Sequence, residues 1–233
     1  LGGTRAEVEL RDPHAVIFIG LIALLCPGAA VAAEADAPML WRNSGAATAQ
    51  AGLPRARSAR LPAAGETRAD LLLEVANQFT QDSEQGEDTI LDAETTTMML
   101  ALERGLSADW SLGVEIPWVR HGGGLLDGTI DGYHDLFGFS DGGRSDAPQD
   151  RVRFFWHDGN RLRFGLFEQR SGIGDVRITL ARRLFARPDR QLTLRAGLEL
   201  PTGSSDDLIG SDSRDTHLGL HLSDRRLLAA WGA

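Results

Sequence analysis

Residues 121–144 read HGGGLLDGTIDGYHDLFGFSDGGR and hold the densest set of chemistry-bearing side chains in the chain. A His-Gly-Gly-Gly run is an oxyanion-hole loop in many lipases and esterases. There it serves a serine on a Gly-x-Ser-x-Gly elbow, a sharp strand-to-helix turn. No such elbow is recognised here; Ser204, Ser205 and Ser211 sit in an acidic stretch without one. The hydrolase reading is set aside, and Gly122–Gly124 are expected to let the chain turn as it leaves a strand. Asp127, Asp131 and Asp135 recur every four residues, which puts three carboxylates in one row on a helix. Exposed like charges so placed repel by roughly a few tenths of a kcal/mol per pair, and a cation, Arg120 or Arg144 would relieve them. EF-hand ligands stand two residues apart, so this is a different motif. His121, Gly123, Gly124, Asp127, Asp131, His134, Asp135, Gly143 and Arg144 form the loop motif that carries any functional weight. His217 and His221 are about 13 Å apart on a strand, too far for joint metal ligation. No metal and no cofactor are expected.

The elements that position these residues are legible from periodicity. Leu126, Ile130, Tyr133 and Phe137 are spaced as one apolar stripe of an amphipathic helix. It would be an insertion in the long 120–150 loop, folded inward as a plug or laid over a rim. Elsewhere apolar and polar residues alternate with the period of a strand. Over 110–119, Trp110, Leu112, Val114, Ile116 and Trp118 oppose Ser111, Gly113, Glu115 and Pro117. Eight steps between the tryptophans span roughly 26 Å, or roughly 20 Å along the normal when tilted. That is close to the ~25 Å apolar band of an outer-membrane barrel with its aromatic girdles. The alternation recurs over 69–80, 95–104, 161–167, 175–184, 191–200 and 216–222.

One face of these strands therefore carries leucines. The other carries Glu74, Glu115, Arg163, Arg177, Arg195, Glu199, His217 and His221, the expected lining of a lumen. Connections at 105–109, 186–190 and 223–226 are short, whereas 82–94, 120–150 and 202–215 read as long loops. Such sorting suits a barrel with short periplasmic turns and long outer loops. With 151–157 and 161–170 as a hairpin, eight strands are counted. Leu227–Ala233 would begin a ninth, so a closed barrel with an even number calls for further strands.

The apolar run 15–33, AVIFIGLIALLCPGAAVAA, has the length of a signal-peptide core, ends in small residues and precedes Glu34 and Asp36. Residues 1–33 are read as a cleaved signal, despite the acidic Glu7, Glu9 and Asp12 before it. Cys26 follows Leu25 rather than a small residue, which disfavours a lipoprotein. Residues 34–68 have no periodicity and are read as a periplasmic lead-in; 69–233 form the barrel domain. The net charge of −9 argues against a nucleic-acid partner.

The segment Trp118–Arg144, with GIGDV (172–176) and LPTGS (200–204), resembles a family of uncharacterised Gram-negative outer-membrane proteins classed as a domain of unknown function. The matching positions are Gly123, Gly124, Leu126, Asp127, Ile130, Asp131, His134, Asp135, Phe137, Gly138, Gly142, Gly143 and Arg144. The last two motifs are also similar to those of putative outer-membrane transporters. The resemblance spans roughly 38–223; it implies an outer-membrane barrel and no reaction. The chain is thus expected to be an all-β antiparallel transmembrane barrel with a helical loop insertion. Its expected partners are outer-membrane lipid, the outer-membrane insertion machinery and small solutes. The rival expectation is a soluble periplasmic β-sandwich that binds an apolar ligand, with an outer-membrane enzyme third.

Overall fold

The computed structural model describes Pro38 and residues 44–49, 53–84, 86–124, 127–139 and 151–226. The expected signal peptide and the stretch from Leu227 onward lie outside these residues. The strands are β1 (Thr67–Glu84), β2 (Glu87–Gly105), β3 (Trp110–Gly122), β4 (Arg153–Asp158), β5 (Arg161–Leu166), β6 (Arg170–Ile173), β7 (Val176–Arg187), β8 (Arg190–Leu200) and β9 (Asp215–Asp224). Among the described residues two helices accompany them, α1 (Ala46–Ala49) and α2 (Asp127–Phe137).

All nine strands belong to one sheet, and every pairing is antiparallel. The body runs β1-β2-β3-β7-β8-β9 and curls into a half barrel. Where β3 ends at Glu94↔Gly122, the β4–β5 hairpin takes its place beside β2 from Asp92↔Arg153 onward. Likewise β6 takes the flank of β3 beyond β7. Glu115 pairs with Arg177 and Trp118 with Ile173, so Gly174–Asp175 hold one extra residue, a bulge. The Gly174 N–H donates to the Pro117 carbonyl at 2.9 Å. Pro117, with no donor of its own, is accommodated at this break in the ladder.

Two boundaries differ from the sequence reading. Residues 82–94 are strand and turn, not a long loop: β1 and β2 stay paired to Glu84↔Glu87 and close at Gly86, φ 92°. The pairs Gln81↔Ile90, Asp82↔Thr89 and Ser83↔Asp88 carry no apolar alternation. Backbone pairing continues there without the signal a period-2 search uses. The stretch 161–170 divides, because β5 pairs with β4 while β6 crosses to β3. The short turns at 106–109 and 188–189 mark one end of the sheet. The β1–β2 tip, 123–152 and 201–214 mark the other.

Between the short-turn end and the bulge the faces separate; beyond it Asp92, Glu94 and Arg153 stand on the outer side and Leu91, Phe154 and Leu166 on the inner. Ala69, Leu102, Val114, Ile178 and Leu198 form one cross-strand row on the outer face. Leu73, Met98, Trp118 and Ile173 form another. Many of these leucines are open, Leu218 by 72% and Leu73 by 65%, and no second layer covers them among the described residues. Trp118 is instead buried with Leu100 between Met98, Leu102, Ile116 and Ile173. Trp110 is partly open, with the Arg182 guanidinium 5.4 Å from its ring centre.

Candidate functional site

The opposite, inner face collects the charges, and part of the N-terminal segment lies on it. Residues 53–64, expected as a lead-in, run extended against this face. They rest there largely on side-chain bonds. Arg55 makes a two-pronged contact to Glu74 at 2.9 and 2.6 Å, and Ser44 donates to the same carboxylate at 2.8 Å. Arg57 bonds both Asp70 and Glu115. The Ala59 N–H donates to Ser223 Oγ at 3.0 Å, and Thr193 Oγ1 donates to the Ala59 carbonyl at 2.6 Å. Arg195 donates to the Ser58 carbonyl at 3.0 Å, and His221 to the Arg57 carbonyl at 3.1 Å. The segment thus joins β1 to β8 and β9, straddling the sheet from one edge to the other. Its base is fixed where Leu61 and Pro62 are buried and Ala64 bridges to Gly105. A Cβ on Gly105 would meet the Ala63 carbonyl oxygen at 2.1 Å, so this crossing needs glycine.

Beneath this strap the sheet carries its own ion pairs. Arg177 lies between Glu199 and Glu115, and Arg195 contacts Glu103 at 2.8 Å. Both guanidiniums are buried. Buried charges persist when they are paired and hydrogen-bonded, and planar guanidinium suits that better than lysine. The space left between strap and sheet near Glu115 and Arg177 is about 50 Å³. That holds a few waters rather than a solute, since one water needs roughly 10–15 Å³.

Of the expected lining residues, the structure brings together Glu74, Glu115, Arg177, Arg195, Glu199, His217 and His221 on the inner face. Arg163 stands apart at the β4–β5 hairpin end, paired with Asp158 and partly exposed. The bulge at Trp156/His157 shifts that hairpin's register and ends simple alternation there.

The loop motif is dispersed. His121 is fully buried; its Nδ1 accepts from Thr95 Oγ1 at 2.9 Å and its Nε2–H donates to the Leu208 carbonyl at 3.0 Å. A carbonyl can only accept, so Nε2 carries a proton; burial disfavours the charged ring, and in the neutral form Nδ1 accepts. The ring also meets Phe154 edge-on at 5.7 Å. His121 is therefore a structural bridge rather than part of an oxyanion loop. Gly123 follows the strand, and Gly124, with φ 104°, makes the sharp turn. On α2 the side chains of Asp127, Asp131 and Asp135 lie outside the described residues, as do Gly143 and Arg144. His134 meets the Phe139 ring at 6.4 Å. The expected burial of the apolar stripe against a rim is not what the described part does. Tyr133 and Phe137 are exposed, 4.7 Å apart, and grouped with Phe139.

Against the expectation that no such pentapeptide exists, the sequence contains one Gly-x-Ser-x-Gly match, Gly138-Phe139-Ser140-Asp141-Gly142. An elbow needs a strand before the serine. This pentapeptide follows helix α2 instead, and Ser140–Gly142 are outside the described residues.

A second missed element is the 201–214 loop, which folds in over the upper inner face. Leu208 packs beside Phe154, Ala46, Val152 and Leu166. Asp175, at the bulge, accepts from the Gly203 N–H at 2.9 Å and from the Ser211 N–H at 2.6 Å. Thr202 Oγ1 donates to the Gly174 carbonyl at 2.6 Å. The motifs GIGDV and LPTGS thus lock together. Gly203 and Gly210 touch backbone to backbone: a Cβ on Gly210 would lie 2.6 Å from both Asp175 Oδ1 and Gly203 Cα. Gly210→Ala is expected to push the loop off its anchor at a cost of about 1–3 kcal/mol. A lowered denaturant midpoint with an unchanged slope would register it.

A family model described as "Protein of unknown function (DUF3187)" matches residues 17–229. The chain belongs to the DUF3187 family. No curated protein and no solved structure matches it. In this DUF3187 chain the matched span takes in the strap, all nine strands and the 201–214 loop together.

Proposed function

We propose that this DUF3187 protein is an outer-membrane β-barrel protein without enzymatic activity, a channel or structural barrel for small solutes at the outer membrane. One observation carries the reading: between the short-turn end and the β6–β7 bulge the exposed face is leucine-rich while the enclosed face is charged. Leu71, Leu73, Val75, Leu112, Leu218, Leu220 and Leu222 are open, whereas Arg55, Arg177, Arg195, Glu103 and Glu199 are buried. Water-soluble monomers rarely expose continuous apolar surfaces of this kind, and a barrel in lipid inverts the usual arrangement in this way. The sorting of short turns to one sheet end supports the same reading. In it, a cleaved signal carries the chain across the inner membrane. Outer-membrane lipid surrounds the leucine belt, the outer-membrane insertion machinery seats it, and no nucleic acid, metal or cofactor takes part.

The rival sandwich needs a second layer over the leucines. Fractionation separates the two: a detergent-requiring species whose gel mobility changes on heating is expected. Release by osmotic shock would end the membrane reading.

A further inference from the structure

We propose that residues 53–64 are an internal plug, and that their release leaves an inner face that passes cations in preference to anions. The inference rests on the membrane reading. At the level of the strap's arginines the sheet supplies five carboxylates, Asp70, Glu74, Glu103, Glu115 and Glu199, against three guanidiniums, Arg177, Arg195 and Arg68, the last paired in register with Glu103. Arg55 and Arg57 of the strap bring the balance to five against five. The strap therefore fills the space and neutralises the excess charge.

The manner of attachment suits release. Between Arg55 and Ala59 the segment is held to the sheet by bonds that involve side chains, not by a strand ladder. A strand paired along its length would hold through many backbone bonds at once. Arg55, Ser58 and Ala59 are buried against the sheet, but only the base, at Leu61–Ala64, is also clamped by the backbone crossing at Gly105. Gly65, with φ 80°, follows directly and gives the base a turn. The part above it can swing without disturbing β1. Charge is what matters once it does, because pore-lining carboxylates favour cations and exclude anions. Arg183 and the strap's own Arg60 line the short-turn end beside Glu66, below the strap's ion pairs with the sheet.

The test is single-channel recording of the full chain in a planar bilayer under a potassium chloride gradient. Arg55→Ala with Arg57→Ala is expected to open more often than the parent. Its reversal potential should move toward that of potassium. A second variant leaves the arginines in place: Ser58→Cys with Ser223→Cys, in a Cys26→Ser background, uses hydroxyls 3.5 Å apart. Oxidised, it should conduct less than after reduction, because the disulfide holds the strap on β9. Equal conductance of the oxidised and reduced forms would overturn the plug. An open arginine-less variant with no cation preference would overturn the selectivity. Failure of the parent to insert into lipid, or to show a heat-modifiable form, strikes the membrane reading instead and is seen before any current is recorded.

Discussion

Arg195→Ala is expected to destabilise the folded protein by about 3–5 kcal/mol, the usual cost of removing one member of a buried ion pair. Arg195 is 5% exposed and sits at the crossing of two structures. One nitrogen donates to Glu103 at 2.8 Å, and another to the Ser58 carbonyl of the strap at 3.0 Å. Without it the Glu103 carboxylate keeps the bond from the Ser111 hydroxyl but loses the Arg195 charge. The Ser58 carbonyl loses a bond in a buried place, which adds about 1–3 kcal/mol of desolvation within that total. Denaturant unfolding in detergent micelles is the measurement.

The companion variant decides what the number means. Arg195→Met with Glu103→Leu removes both charges, and pairs of this kind are often replaced by apolar residues at little cost. Partial recovery is expected, short of the parent by about the cost of the strap carbonyl. Full recovery would say that the bond from Arg195 to the strap contributes nothing. No recovery would say that the loss came from packing of the long arginine stem, not from unpaired charge.

How far sequence reaches is clear from individual residues. Glu74, Glu115, Arg177, Arg195, Glu199, His217 and His221 share one side by period-2 alternation, because register fixes a side for every residue in a strand. Arg163 escaped because a bulge two strands away from the body broke the period. The β1–β2 extension was invisible since its paired residues are polar on both faces. The strap has no period at all. Arg55 and Arg57 hold their places through Glu74, Asp70 and Glu115, up to 58 residues away, and no local pattern encodes such partners. His121 looked like chemistry because it precedes three glycines, yet its neighbours Thr95 and Leu208 come from other elements. The inward 201–214 loop left one trace, the paired motifs GIGDV and LPTGS. Their meaning lay in Asp175 meeting Gly203 and Ser211, which sequence alone does not bring together.

Leu218→Arg tests the outer face most directly. Leu218 lies on β9 opposite Ala196, in the row that continues through Leu180 to Leu112, and is 72% exposed. In a water-soluble protein, arginine at so open a position would change stability by no more than about 0.5 kcal/mol. Toward the middle of a bilayer the same change costs about 2–4 kcal/mol, falling to about 0–1 near the interfaces. The guanidinium must there either leave water or thin the lipid around it. Folding free energy measured in phosphatidylcholine vesicles is expected to show the larger loss for Leu218→Arg. A smaller loss is expected for Trp110→Arg, at the short-turn end of the belt beside Arg182. Depth dependence is the signature, because neither helix propensity nor core packing distinguishes two open positions on one sheet face. Two equal and negligible losses would mean that water, not lipid, lies against the leucines.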